Sequence, residues 1–269
     1  MNTHVSPDSD ARSQHERPAS EILLLRDGNL ATVVLNRPEK LNATTISMWK
    51  LLDDTLRQLD ADDSVRCIVI RGAGTKAFGP GNDISEFETH RGNQALARHY
   101  GPVMHSALRA IAQCRHPLVA MIHGICVGGG LAISLKADVR YAADDARFAL
   151  PPAKLGIGYN AAGIRQLATL VGPAVAKELV YTADLYDAST ALRWGLVNHV
   201  LPKAELDDHV MARAALMAER APLSQRAAKL AIADDPEAEA VIGQCFTSAD
   251  YAEGVAAFLE KRPPRFTGS

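Results

Sequence analysis

The chain lacks any run of roughly 18 apolar residues, which leaves no candidate for a membrane-spanning helix. Its first twenty residues are polar and contain no apolar core of a signal peptide. They read as a disordered leader, residues 1–20. Arginines there would suit a transit peptide, but Asp8, Asp10 and Glu16 argue against one. The four cysteines, Cys67, Cys114, Cys126 and Cys245, include no C-x-x-C pair. They fit buried thiols in a reducing, cytoplasmic setting better than a disulfide frame or a zinc site. No His, Cys and carboxylate cluster has metal-ligand spacing, so no metal is expected. A formal net charge of -2 over 269 residues supplies neither a basic field for nucleic acid nor a strongly acidic one. Neither nucleic acid nor membrane is expected as a partner.

What is present is an ordinary soluble composition, 47% hydrophobic and 22% charged. The length suits one large domain, or a core with an extension. Glu21 to Leu25 and Ala31 to Leu35, on either side of Asp27-Gly28-Asn29, predict a β-hairpin. Helical spacing follows over Thr45 to Leu59, then a fully apolar strand over Arg66 to Ile70. A helix over Ala95 to Ala112 and a buried strand over Leu118 to Ile122 repeat the pattern. Gly128-Gly129-Gly130 then opens a helix to Lys136, and Val139 to Ala142 is a further strand. Such alternation predicts α/β architecture. From Pro173 strand signals nearly vanish. Only Leu196 to Leu201 remains, among helices over Pro173–Tyr181, Ala188–Trp194, Ala204–Arg220, Ser224–Ala233 and Glu237–Lys261. The predicted division is a core over residues 21–200 and a helical region over 201–269, with a soft boundary.

Two glycine-rich loops each follow a buried strand. The first is Gly74-Thr-Lys-Ala-Phe-Gly-Pro-Gly-Asn-Asp-Ile84, and the second is His123-Gly-Ile-Cys-Val-Gly-Gly-Gly-Leu131. Loops of this kind present backbone N–H groups at a helix N-terminus, where negative charge is favoured. Either could also be a plain tight turn. Neither has the Gly-Lys-Ser/Thr of a phosphate loop or the G-x-G-x-x-G of a dinucleotide site.

Together these segments resemble the crotonase (enoyl-CoA hydratase/isomerase) superfamily. Leu35-Asn-Arg-Pro-Glu-Lys-Leu-Asn-Ala43 is similar to its first CoA-binding segment. The two glycine loops are similar to its two oxyanion-hole segments, and Tyr251 to Arg262 is similar to its C-terminal helix. The resemblance runs from about residue 21 to the end. It implies a spiral of ββα units followed by a helical trimerisation region, in a homotrimer or dimer of trimers. It further implies that the backbone N–H groups of Asn82 and Gly129 hold a thioester oxygen. Lys40, Leu41, Lys76, Ala77 and Phe78 would border the adenosine and pyrophosphate of coenzyme A. Phe258 and Lys261 would reach the adenine end, often from a neighbouring subunit. Coenzyme A enters as part of the substrate, and no separate cofactor is implied.

The chain departs from that pattern where a hydratase keeps two glutamates. The first position, on the helix after the glycine run, is Ala132; the second, after a proline, is Pro152. General acid–base chemistry needs titratable groups within reach, and neither residue can carry a proton. The segment Leu155-Gly-Ile-Gly-Tyr-Asn-Ala-Ala-Gly-Ile164 is similar to that of methylmalonyl-CoA decarboxylases, with a tyrosine at the position of Tyr159. Asn160 stands where dehalogenases of the superfamily place a nucleophilic aspartate. Decarboxylation of a malonyl-type thioester therefore leads, with Tyr159 catalytic and Asn160 at the substrate. One alternative keeps hydratase or isomerase chemistry through another acid such as Glu86, with Glu88, His99 and His105 as further candidates. Another is a non-catalytic acyl-CoA binder. Asp83 is expected to cap a helix starting at Ile84, and His123 to be a packed histidine.

Overall fold

The computed structural model describes residues 20–86 and 94–269, with side chains of the second span from residue 100 onward. The leader therefore lies outside the described residues apart from Ser20, whose carbonyl accepts from Asn36 Nδ2.

Strands β1 (Ile22–Asp27) and β2 (Leu30–Leu35) form the antiparallel hairpin. Parallel strands β3 (Cys67–Gly72), β5 (Leu118–Ile122), β7 (Val139–Ala143) and β10 (His199–Leu201) extend it to a six-stranded sheet, in the order β1-β2-β3-β5-β7-β10. A second sheet holds β4 (Ala77–Gly79), β6 (Ile125–Val127), β8 (Arg147–Ala149) and β9 (Tyr186–Asp187). From β3 to β8 successive strands alternate between the two sheets, so each turn of the chain adds one strand to each. That alternation is the ββα spiral.

The apolar strands are buried on both faces, as their unbroken hydrophobic runs predict. Ile68 and Ile70 of β3, with Leu118, Ala120 and Ile122 of β5, face one core. On that side α1 (Ile46–Ala61) buries Met48, Trp49, Leu52, Leu56 and Leu59, and starts where Thr45 Oγ1 accepts from the Met48 N–H at 3.1 Å. Helix α2 (Gln94–Gln113) packs beside it. Val69, Val119 and Met121 face the other way, onto Leu206, Val210 and Ala214 of α8 (Leu206–Ala218). The packing thus continues past residue 200, and α8 closes the outer face of the main sheet. The alternating period of the strands carries through to the helices that cover them.

The remaining helices are α3 (Gly129–Lys136), α4 (Pro152–Leu155), α5 (Ala161–Val171), α6 (Pro173–Thr182), α7 (Ala188–Arg193), α9 (Pro222–Ile232), α10 (Ala238–Cys245) and α11 (Ala249–Glu260). The single helix expected over Glu237–Lys261 is two. The chain breaks before Ser248, whose Oγ accepts from the Tyr251 N–H at 3.0 Å and starts α11. Among the described residues no helix is long and apolar enough to cross a membrane. Cys67, Cys114 and Cys126 are buried free thiols, and burial pushes them up to about 12, 11 and 12.

Candidate active site

Three short parallel strands of the second sheet end side by side, and the residues after each end face one space. Strand β4 leads into Pro80-Gly81-Asn82, β6 into Gly128-Gly129, and β8 into Leu150-Pro151-Pro152. These residues, with Tyr159, line a cavity of about 350 Å³. A crevice at the carboxyl ends of parallel strands is where open α/β sheets bind ligands.

The two loops also leave two N–H groups unspent. Asn82 forms a parallel bridge with Thr44. The bonds of that bridge run from the Thr44 N–H to the Gly81 carbonyl and from the Asp83 N–H to the Thr44 carbonyl, both 2.9 Å. The Asn82 N–H therefore points away from Thr44. On the other loop, the Gly128 N–H is spent on the Ala149 carbonyl at 3.1 Å, and the first bond of α3 runs from the Ala132 N–H to the Gly128 carbonyl. Gly129 is then the first residue of α3, and its N–H is one of the donors a helix start leaves free. Among the described residues neither N–H has a protein acceptor. The loops touch closely: a Cβ added to Gly81 would stand 3.3 Å from the Gly129 nitrogen, and one added to Gly129 would stand 3.2 Å from Asn82 Oδ1. Helix α3 can sit this near β4 because residue 130 is glycine; a Cβ there would fall 2.1 Å from the Gly79 carbonyl oxygen.

The Asn82 side chain is fixed as well. Its Oδ1 accepts from the Thr44 hydroxyl at 3.0 Å and from Trp49 Nε1 at 3.1 Å, and the same indole N–H lies 3.0 Å from the Tyr100 hydroxyl. Asn42, 1% exposed, ties its own segment at Arg37 to the first glycine loop. Its Oδ1 accepts from the Arg37 N–H, and its Nδ2 donates to the Ala73 and Ala77 carbonyls at 3.1 and 2.8 Å. The sequence reading passed over Asn42, Thr44 and Trp49 as positioning residues. For Trp49 a signal existed, since a buried indole N–H requires an acceptor. For the other two the pairing is purely tertiary. Asp83 meets the expectation placed on it: its Oδ1 accepts from the Ser85 N–H at 3.0 Å, and its Oδ2 pairs with Arg37 at 2.9 Å. The Ser85 hydroxyl first, and Arg37 next, hold its carboxyl below the usual range.

The rest of the cavity wall carries no charge of the kind a hydratase uses. Ala132 and Pro152 both line it, so a methyl group and a pyrrolidine form that part of the wall. Among the described residues no Asp or Glu lines this cavity. Tyr159 is half-buried against the core. Its ring lies over Gly163 of α5, where an added Cβ would meet Cε1 at 2.7 Å. Burial raises its hydroxyl to about 12, so at neutral pH it is a protonated donor and not a base. Asn160 lines the cavity too, but its Oδ1 caps α5 by accepting from the Gly163 N–H at 2.7 Å, which leaves its Nδ2 for a ligand.

The other expected residues divide. Lys40, Leu41 and Lys76 are exposed at the rim of the loops. Phe78 is 0% exposed, its ring packed in the core beside the exposed Lys76, so its main chain is what it can offer coenzyme A. Ala77 is buried too, and Asn42 takes its carbonyl. Phe258 is 83% exposed on α11, so it is not a core residue, and Lys261 caps that helix in a left-handed conformation. Neither lines the cavity. Glu86 Oε2 accepts from the Ile46 N–H at 2.9 Å, which puts its carboxylate at the start of α1. Glu88 and the His99 side chain lie outside the described residues. His123 is packed, with Nε2 2.5 Å from Asp207, which also pairs with Arg71.

A two-sheet spiral with free main-chain donors where its short strands end is the architecture of the crotonase superfamily of acyl-CoA enzymes. Within it, the chain belongs to the enoyl-CoA hydratase/isomerase family, whose model matches residues 26–269. It is 34% identical over 253 residues to a short-chain-enoyl-CoA hydratase of Clostridium acetobutylicum, covering 90% of this chain and 96% of that protein. It is 33% identical over 254 residues to methylmalonyl-CoA decarboxylase of Escherichia coli, covering 89% and 95%. A solved structure from Magnetospirillum magneticum, described as an enoyl-CoA hydratase/carnithine racemase, superimposes with a TM-score of 0.89 at 40% identity, covering 93% of this chain and 96% of that one.

Proposed function

We propose that this enzyme decarboxylates a malonyl-type CoA thioester, with the thioester oxygen held by the N–H groups of Asn82 and Gly129. The observation that carries this reading is a cavity with two unspent amide donors and, among its described lining residues, no carboxylate. In the reaction the bond between Cα and the carboxylate breaks, and its electron pair moves into the thioester to give an enolate. Carbon dioxide leaves, and Cα then takes a proton. Fixed donors aimed at the developing oxyanion lower that barrier. A glutamate at position 132 or 152 would repel the substrate carboxylate, so Ala132 and Pro152 suit this reaction. Tyr159, a neutral donor at the same wall, orients the leaving carboxylate or returns the proton to Cα. The similarity to the Escherichia coli decarboxylase supports the reading.

Hydration has support in the name of the Clostridium relative, but it requires a group that activates water, and Glu86 is engaged at the start of α1. In this reading coenzyme A lies along the rim, with its phosphates near Lys40, Leu41 and Lys76. Its adenine end then reaches toward Phe258 and Lys261 of a second copy. The test is incubation with crotonyl-, 3-enoyl-, malonyl- and methylmalonyl-CoA, followed by mass spectrometry. Decarboxylated products are expected from one of the last two thioesters. Hydration of crotonyl-CoA as the dominant reaction would overturn the proposal.

A further inference from the structure

A second cavity, of about 450 Å³, adjoins the first, and Ala132, Tyr159 and Asn160 line both. It lies between α2, α3 and α5 and takes His105 and Arg109 from one helix face, Lys136 from the last turn of α3, and Gln166 from α5. Among the described residues no Asp or Glu lines it, and His105, Arg109 and Lys136 have no carboxylate partner. In a chain of formal net charge -2, the Arg109 guanidinium and the Lys136 ammonium make this a local excess of positive charge. Part of Lys136's role is to meet the free carbonyls that end α3. Its burial nevertheless pulls the ammonium below its ordinary pKa, because a half-buried cation without a counter-ion is unfavourable. An anion entering this space would relieve that cost.

The position of Ala132 gives this cavity its meaning. The methyl group lies on the wall that the two cavities share, between the amide donors and the cations. A glutamate there would be bulkier and would oppose a negative ligand.

We propose that the second cavity binds a carboxylate at the far end of the acyl chain, so that the substrates are CoA thioesters whose acyl chain ends in a carboxylate distant from Cα. The inference rests on the placement of the thioester at Asn82 and Gly129, and does not depend on which bond breaks. The leaving carboxylate of a decarboxylation stays beside Tyr159, because cations around it would hold it against departure. A malonyl-type thioester whose substituent runs past Ala132 and ends in a second carboxylate satisfies both sites.

Matched thioesters test this directly: succinyl- against butyryl-CoA, glutaryl- against pentanoyl-CoA, and adipyl- against hexanoyl-CoA. None carries a carboxylate at Cα, so binding can be read by calorimetry without turnover. At one or more lengths the carboxylate-ended member should bind roughly tenfold tighter, the scale of a charge-assisted hydrogen bond. Arg109→Gln and Lys136→Gln should each erode that preference while free coenzyme A binds as before. Equal affinities at every length, or a preference that survives both substitutions, would overturn the inference. If no acyl chain altered the affinity of free coenzyme A, the placement of the thioester itself would fail, a different result from the loss of carboxylate preference alone.

Discussion

Gly129 occupies the first position of α3, where a helix tolerates proline because the N–H is unpaired in any case. Gly129→Pro therefore removes one amide donor while keeping the helix start. Because a Cβ there would stand 3.2 Å from Asn82 Oδ1, the folded state of the variant is checked first by circular dichroism and coenzyme A binding. Loss of one oxyanion donor costs about 3–4 kcal/mol of transition-state stabilisation, so turnover should fall by about two to three orders of magnitude. Near-normal turnover in a folded Gly129→Pro protein would remove this amide from the mechanism. Tyr159→Phe asks a separate question, since it deletes the hydroxyl and keeps the ring over Gly163. Turnover on the true substrate should drop while coenzyme A affinity stays, and unchanged turnover would reduce Tyr159 to packing. The pH profile carries a sign as well. An ordinary tyrosine begins to ionise near 10, whereas burial raises Tyr159 to about 12. A requirement for its proton should leave the rate flat through the lower value and cost activity only toward the higher one.

At the scale of elements, the site is made by the ends of β4, β6 and β8, strands of three residues each. Their glycine loops were legible in the sequence because glycines and an Asn-Asp pair punctuate them. The strands themselves were not, since three residues show no alternation. Helix α5 was missed for a different reason: its first turn, Ala161-Ala162-Gly163, reads as loop, and only Asn160 Oδ1 on the Gly163 N–H shows that a helix begins there. The long strands and α1 were plain, because Ile68, Ile70, Leu52 and Leu56 repeat at the period of their elements. The burial of the Phe78 ring is set by the second sheet and is invisible locally. Lys76 and Lys261, by contrast, sit on exposed element ends where phosphates could reach them. Replacing both with alanine should weaken coenzyme A binding and flatten its dependence on salt, because screened charge–phosphate attraction is lost. Unchanged affinity at low ionic strength would exclude them.

For the whole molecule, the C-terminal helices leave apolar surface uncovered. Tyr251, Val255, Phe258 and Leu259 of α11 are 52, 45, 83 and 74% exposed, and their spacing gathers them on neighbouring faces of one helix. A second copy of the chain is the covering the resemblance implies. Light scattering should give a mass three or six times 28.9 kDa, and Phe258→Asp should lower it. A monomer for the unaltered chain would refute this assembly. The division of labour across the molecule is then consistent. The main sheet packs against α8, the second sheet carries the two amide donors, and α11 presents the apolar face on which a second copy is expected. Among the described residues that line the cavity none is a carboxylate or histidine that could activate water, so the central claim is one of reaction type. It is tested most directly by offering malonyl-, methylmalonyl- and crotonyl-CoA together in deuterium oxide and following all three by mass spectrometry. The enolate account predicts release of carbon dioxide from one of the first two, with deuterium newly bound at Cα of the product, and crotonyl-CoA left unhydrated. Hydrated crotonyl-CoA beside intact malonyl- and methylmalonyl-CoA would contradict it.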